Sequence, residues 1–471
     1  MIMGRSRRSE WQRARMLLVL LAVATLTGCV STAMTRNLDA TSQFAQREVG
    51  VAVGRQTSSA AVAAAHERAR ALLAEPLTAE GAVEIALRYS PRFQAMLADS
   101  AAASAASSQS VRIPNPLLSY GRLAAGSTLE IDRALSVSLL DFILWPQRRH
   151  LGDLQQAQHR LRSAGDVVAT ALAARQAWVA AVAAAQSARY AEQVQASAAA
   201  TAELAKRMAA AGNFSRIEQV RQQAFWAEAT TELARAQLEA AAARERLVRL
   251  LGLSGDLAVA LKLPDRLPDL PAAVDPETVI AKRAFEDRLD IQLSRTELNY
   301  TARSLGLTRV TSLVNAFELG AVSNSTPAEG TLKGYSVDAR LPLFDFGDAR
   351  RANAQALYMA ALNRTAQVEV DAHSHLRASY LTYRTTYDIA RHYRDEIVPL
   401  RKSIAEENQL RYNGMLISVF ELLADLREQV VTVRQAIASE RDFWKADSEL
   451  RATLIGQPVE SLMSGSPMLP H

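Results

Sequence analysis

Residues 128–140 read TLEIDRALSVSLL, and their alternation decides the fold. Leu129, Ile131, Leu135, Val137 and Leu139 are apolar at odd positions, with Arg133 the exception, while Thr128, Glu130, Asp132, Ser136 and Ser138 hold even ones. A period of two with one greasy and one wet face is a strand. A shorter strand, Leu117 to Leu123, precedes it across the turn AAGS, so the two make a hairpin. The chain then changes character. From Pro146, a favourable first helical residue, it reaches about Ala211 with no further proline and only Gly152 and Gly165. That is a helix of about 66 residues, roughly 100 Å at 1.5 Å per residue.

Working outward, the hairpin is preceded by a helix from Thr78, its N-cap, to about Val111, with Glu80 and Glu84 near the positive end of the dipole. The long helix ends at Gly212, and a second helix follows from Ser215 to about Leu251. Four prolines between 264 and 276 then break the pattern. The series restarts with a helix from about Pro276 to Leu307, a strand TSLVNAFELGAVS, a polar loop NSTPAEGTLKG and a strand YSVDARLPLF. The last strand places Tyr335, Val337, Ala339 and Leu341 on one face and Ser336, Asp338 and Arg340 on the other. A long helix from about Gly347 to Tyr412 breaks at Gly414, and a final helix runs to Ile455. The junctions match in wording, SLLDFILWPQRR against RLPLFDFGDARR, so the second half repeats the first.

Apolar residues make up 49% of the chain but aromatics only 6%, so much of the apolar content is alanine. Alanine lets helices approach closely without a deep core, which suits a thin helical wall. The helices flanking the long one sum to roughly its length by the same rise, so two short helices stacked end to end would flank one long one. Four strands with an apolar face cannot close a barrel, since the smallest membrane barrels have eight. The chain must therefore borrow strands from copies of itself.

The amino terminus sets the compartment. MIMGRSRRSEWQRAR is a basic n-region and MLLVLLAVATL an apolar run of signal-peptide length, too short to span a bilayer. The run ends in LTGC, which resembles the lipobox of bacterial lipoproteins and implies acylation of Cys29, the single cysteine in the chain. Multiple acyl chains would hold it firmly at a membrane, and Val30 in place of an aspartate after the cysteine implies the outer one. With one cysteine no intrachain disulfide can form. The formal charge is +5, but residues 1–28 hold five arginines against one glutamate, so the mature chain keeps about +1. Nucleic acid is not an expected partner.

The lipobox, the repeated hairpin plus long helix, and the turns AAAGNFSRIEQV and RYNGMLISVFELLADLREQ together resemble the TolC-like outer-membrane efflux channels of lipoprotein type, over roughly Leu77 to Gly456. The resemblance implies an α+β membrane protein: a homotrimer whose four strands per chain complete a 12-stranded outer-membrane barrel, continued across the periplasm by a long helical barrel. It implies a periplasmic adaptor and an inner-membrane pump as partners, a passive duct accepting what the pump delivers, and no cofactor beyond the lipid on Cys29. The expected divisions are 1–28 signal peptide, 29–75 lipidated linker, 76–262 first repeat, 263–275 proline-rich linker, 276–456 second repeat and 457–471 tail.

On this resemblance Gly212, Asn213, Gly414 and Met415 fall at hairpin tips facing the adaptor, with glycine supplying the positive φ of a helix C-cap. Glu421, with Asp425, falls near where the family places carboxylates at the closed tunnel end; three copies would concentrate negative charge and favour cations. The pattern departs from the family's by one extra residue after the glycine and by Ala424 where a second acid is expected, leaving a solvated face or an interhelical ion pair as the competing roles of Glu421. Glu218 is its repeat counterpart and is expected in an ion pair that steadies the tip. His373 and His375 stand two apart on a helix, facing away from each other, and cannot share a metal. No G-x-S-x-G, P-loop or H-E-x-x-H is present, so no enzyme activity is expected. The alternative class is a periplasmic coiled-coil adaptor or scaffold lipoprotein, which would not require four half-greasy strands; a cell-envelope hydrolase would require paired acids on defined strands or loops.

Overall fold

The computed structural model describes residues 28–126, 128–274, 288–311, 317–327, 330–339 and 344–456. In chain order these form α1 (Gly28–Val49), α2 (Ser59–Leu72), α3 (Ala79–Arg88), α4 (Pro91–Ser110), β1 (Leu117–Ala125), β2 (Thr128–Ser138), α5 (Leu139–Ala210), α6 (Arg216–Leu251) and the short α7 (Asp256–Ala260). The second half gives α8 (Leu289–Thr311), β3 (Phe317–Thr326), β4 (Gly330–Ala339), α9 (Asp348–His392), a π-turn (Tyr393–Ile397), α10 (Val398–Asn413) and α11 (Val419–Ile455). The series of helix, hairpin, long helix and helix recurs as the sequence pattern predicts.

Several boundaries differ. The helix expected over 78–111 is two helices, because Pro91 lacks the N–H that would continue α3 and instead opens α4. The long helix begins at Leu139 and carries Pro146 in its interior, seven residues into its 72. The segment 29–75, expected to be a linker, holds α1 and α2; alanine, abundant in α2, is the best helix former. The last strand already begins at Gly330, ahead of the expected start at Tyr335, so most of the expected loop NSTPAEGTLKG is strand. Residues 340–343, the first part of the expected helix at 276–287, and the tail 457–471 lie outside the described residues.

The chain divides into two units. One comprises residues up to Gln43, Leu97–Ser163 and Ile291–Glu369 and contains the sheet, ordered β1-β2-β3-β4 and antiparallel throughout. Leu118 opposes Leu135, which opposes Ala321, which opposes Tyr335. Opposed residues share a face, so the greasy faces read from the sequence come together on one side. Among the described residues β1 and β4 each pair on one side only. A polar knot seats α1 in this unit: Asn37 Nδ2 donates to Ser104 Oγ at 2.9 Å and to Gln156 Oε1 at 2.6 Å. Asn37 and Ser104 are buried, and buried polar groups must find such partners.

The other unit comprises Phe44–Met96, Ala164–Asp290 and the chain from Val370. Its core is assembled from the inward faces of α3, α5 and α6, where Ile85, Leu87, Leu172, Trp178, Leu247 and Leu251 are all buried. Trp178 Nε1 donates to the Leu77 carbonyl at 2.7 Å, giving the one polar atom of that side chain its partner. A second cluster joins α9 to α11 through Leu376, Tyr383, Tyr387, Phe443 and Leu450, with the Tyr387 and Phe443 ring centroids 5.6 Å apart.

Candidate functional site

The expected tip residues lie in two turns, both in the second unit. The first joins α5 to α6. Gly212 is left-handed at φ 78°, its N–H donates to the Ala209 carbonyl at 3.1 Å, and the Asn213 N–H donates to the Met208 carbonyl at 2.9 Å. These two bonds satisfy the last carbonyls of α5 in the manner of a Schellman motif. Ser215 then caps α6: its Oγ accepts the Glu218 N–H at 3.3 Å while the Glu218 carboxylate accepts the Ser215 N–H at 2.8 Å, a reciprocal capping box.

The second turn, between α10 and α11, repeats this geometry bond for bond. Met415 N–H donates to the Tyr412 carbonyl at 2.9 Å and Leu416 N–H to the Arg411 carbonyl at 2.8 Å. Ser418 Oγ accepts the Glu421 N–H at 3.4 Å, and the Glu421 carboxylate accepts the Ser418 N–H at 3.2 Å. The left-handed residue, however, is Met415 at φ 57°; Gly414 sits at φ −82°. The expectation that Gly414 supplies the positive φ is therefore wrong, and the extra residue after it is accounted for: Met415, not Gly414, is the counterpart of Gly212. Met415 is 93% exposed and Leu416 78%.

Glu421 is exposed at the third residue of α11, with one carboxylate oxygen committed to the cap. Glu218 does the same at the first turn, a capping role where an ion pair was expected. Asp425 stands one turn further along α11 in a cleft of about 500 Å³, lined by Lys402, Ala405, Glu406 and Gln409 of α10 and by Leu422 and Gln429. Its Oδ2 is buried without a hydrogen-bond partner among the described residues. Cys29 is the second residue of α1. His373 and His375 lie on α9, and among the described residues no group of three His, Cys, Asp or Glu is placed to hold a metal.

The sequence reading missed what ties the two hairpins together. Arg427 of α11 lies with its guanidinium 4.5 Å from the centroid of the Phe225 ring of α6 and donates to the Arg221 carbonyl at 3.3 Å. Arg434 reaches Glu232 of α6 at 3.0 Å. These groups border a cleft of about 720 Å³, walled by alanines of α5 such as Ala180 and Ala184. A hydrogen bond from Arg235, aided by the charge of Arg434, holds Glu232 below the usual carboxylate range. Burial pushes Asp166 of α5 up and Lys445 of α11 down, each away from its charged form. The capping boxes were legible as S-x-x-E in SRIE and SVFE. The arginine contacts carry no local signal.

No protein-family model matches the sequence, and neither does any curated protein. Solved structures do. The outer membrane protein VceC of Vibrio cholerae aligns with a TM-score of 0.65 at 15% identity, covering 80% of this chain and 96% of its own. The CmeC outer membrane channel of Campylobacter jejuni gives 0.61 at 14% identity, covering 83% and 86%. The open state of the MtrE outer membrane channel of Neisseria gonorrhoeae gives 0.58 at 16% identity, covering 80% and 88%. The fold, mostly helical with four antiparallel strands, is that of these TolC-like outer-membrane channels.

Proposed function

We propose that this chain is the outer-membrane channel of a tripartite efflux system. Three copies join their sheets into a 12-stranded barrel, and their long helices continue it as a passive duct fed by an inner-membrane pump through a periplasmic adaptor. The duct performs no chemistry and needs no cofactor; acylation at Cys29 anchors each chain to the outer membrane. The observation that carries this reading is the four-stranded sheet whose outer strands β1 and β4 pair on one side only among the described residues, with a row of apolar side chains on one face. Open edges invite pairing with another chain, and the likeness to outer-membrane channels supports copies of the same chain as partner. The adaptor meets the turns at Gly212, Asn213, Gly414 and Met415. Glu421, exposed beside the second turn, lines the constriction with its uncommitted carboxylate oxygen, and Asp425 backs it.

The test is single-channel conductance of the lipidated protein in planar bilayers under a salt gradient, alongside its mass in detergent. A trimer with stepwise, cation-preferring conductance that loses its preference in Glu421→Ala is the expected result. Conductance unchanged in the variant removes Glu421 from the constriction and keeps the duct. A silent monomer overturns the duct and favours a periplasmic scaffold.

A further inference from the structure

The register of the sheet sorts its charges by face. In an antiparallel sheet directly opposed residues share a face and neighbours along a strand alternate. Tyr120 opposes Arg133, Arg133 opposes Ser323 and Ser323 opposes Lys333; in the adjacent row Arg122 opposes Ile131, Ile131 opposes Ser325 and Ser325 opposes Thr331. Both rows lie on the face of Leu118, Leu135 and Tyr335, and every charged side chain on that face is basic: Arg122, Arg133 and Lys333. Every charged side chain of the strands on the other face is acidic: Glu130, Asp132, Glu318 and Asp338. The acids turn toward one side and the bases toward the other without exception.

Height along the strands adds a second ordering. At the helix end the basic face begins with Phe317 beside Ala339, then Val137, Leu319 and Val337, then Leu118, Leu135, Ala321 and Tyr335. The bases follow in the next two rows toward the hairpin turns, roughly 7 Å apart by strand rise. A greasy band thus passes into a cationic band bordered by Tyr120 and Tyr335, which are 63% and 82% exposed. Arg122, Arg133 and Lys333 are exposed, and none has an ion-pair partner among the described residues.

Resting on the reading of this sheet as part of a bilayer-spanning barrel, we propose that Arg122, Arg133 and Lys333, flanked by the two tyrosines, bind phosphate-bearing lipid headgroups in the leaflet toward which the hairpin turns point. A base on the lipid side is costly at the midplane and nearly free at the interface, where tyrosines also gather. Phosphate is the anion an interface supplies, and guanidinium and ammonium groups are its usual partners. The acidic face then lines the lumen, so the barrel wall separates a phosphate-binding exterior from a cation-tolerant interior.

The full-length protein in phosphatidylcholine nanodiscs is titrated with a bisphosphorylated glucosamine lipid, its monophosphorylated form, or phosphatidylglycerol, and retained lipid is counted by native mass spectrometry. Wild type is expected to retain phosphorylated lipid in a salt-dependent way, with affinity rising with phosphate number. Arg122→Gln/Arg133→Gln/Lys333→Gln should weaken that retention about tenfold or more, Lys333→Gln alone by less, and Glu130→Gln/Asp132→Asn not at all. Retention by the triple variant equal to wild type overturns the proposal, as does displacement of the lipid by inorganic phosphate at matched ionic strength, which would mark a site for the free ion. Conductance in pure phosphatidylcholine reports on the barrel separately: its presence in the triple variant shows that lost retention is not lost folding, and its absence in wild type, with no insertion, overturns the barrel reading itself.

Discussion

The two hairpin turns have one backbone and two chemistries. Each closes its long helix with the same pair of hydrogen bonds and opens the next with the same serine and glutamate. The first gives its left-handed position to Gly212; the second gives it to Met415 although Gly414 stands next to it. A side chain at that conformation costs roughly 1–2 kcal/mol that glycine does not. The strain is tolerated where it carries an apolar side chain and the adjacent Leu416 into solvent, at 93% and 78% exposure. The capping bonds set the shape of a tip, while the residue placed on it answers to what the tip meets.

The largest expected effect tests that last clause. Met415→Asp should weaken binding of the periplasmic adaptor at least about tenfold, the scale of a lost interface anchor, whereas Asn213→Asp at the first turn, which adds a charge without removing an apolar anchor, should weaken it by less. Equal losses, read by surface plasmon resonance with the purified adaptor, would erase the distinction between the tips. Exchanging the left-handed residues should move stability in opposite directions. Gly212→Met, where an added Cβ meets nothing within 4 Å and only the backbone objects, should lower it by about 1 kcal/mol, and Met415→Gly should raise it by a similar amount, both followed by thermal unfolding in detergent. The caps should not discriminate: Ser215→Ala and Ser418→Ala are each expected to cost about 1 kcal/mol in the same assay.

The smallest effect concerns the bridge between the hairpins. The folded protein binds the Glu232 proton less readily than the unfolded chain, so Glu232 stabilises above its unfolded value near 4.5 and loses that contribution as pH falls through its lower folded value. Because the group is partly solvated, the contribution is below about 1 kcal/mol. The unfolding midpoint of wild type should therefore drop more than that of Glu232→Gln when pH is lowered from about 6 to about 3; parallel curves would mean the bridge adds nothing.

The hairpins and long helices were legible because alternation and uninterrupted helical runs are strong local signals, and their recurrence made each half a check on the other. Residues 330–334, GTLKG, were not, since two glycines and a lysine give no alternation and the strand is held by its pairing with β3. The break at Ser90 was legible in Pro91 and overlooked; α1 was obscured by its mixture of serine, threonine and alanine, and is fixed by the distant partners of Asn37. At the tips the obvious glycine misled. Only the position of Ser418, three residues beyond Met415 as Ser215 is three beyond Gly212, reveals which residue must turn left-handed. The contacts of Arg427 and Arg434 depend on residues some two hundred positions away, which local pattern does not encode.

The π-turn at Tyr393–Ile397 acts as a gear in this arrangement. A turn that takes up one extra residue changes the angular phase of all that follows: closed as ordinary α-helix, it would rotate each side chain of α10 by about 100° about the helix axis. Arg401, now 2.6 Å from Glu428, would swing off α11, and Lys402 would leave the cleft that holds Asp425. The surface that the second hairpin presents is thus dialled from about seventeen residues before Gly414, by a widened turn that bonds α11 through Tyr393 and Gln435 but lies far from the tip.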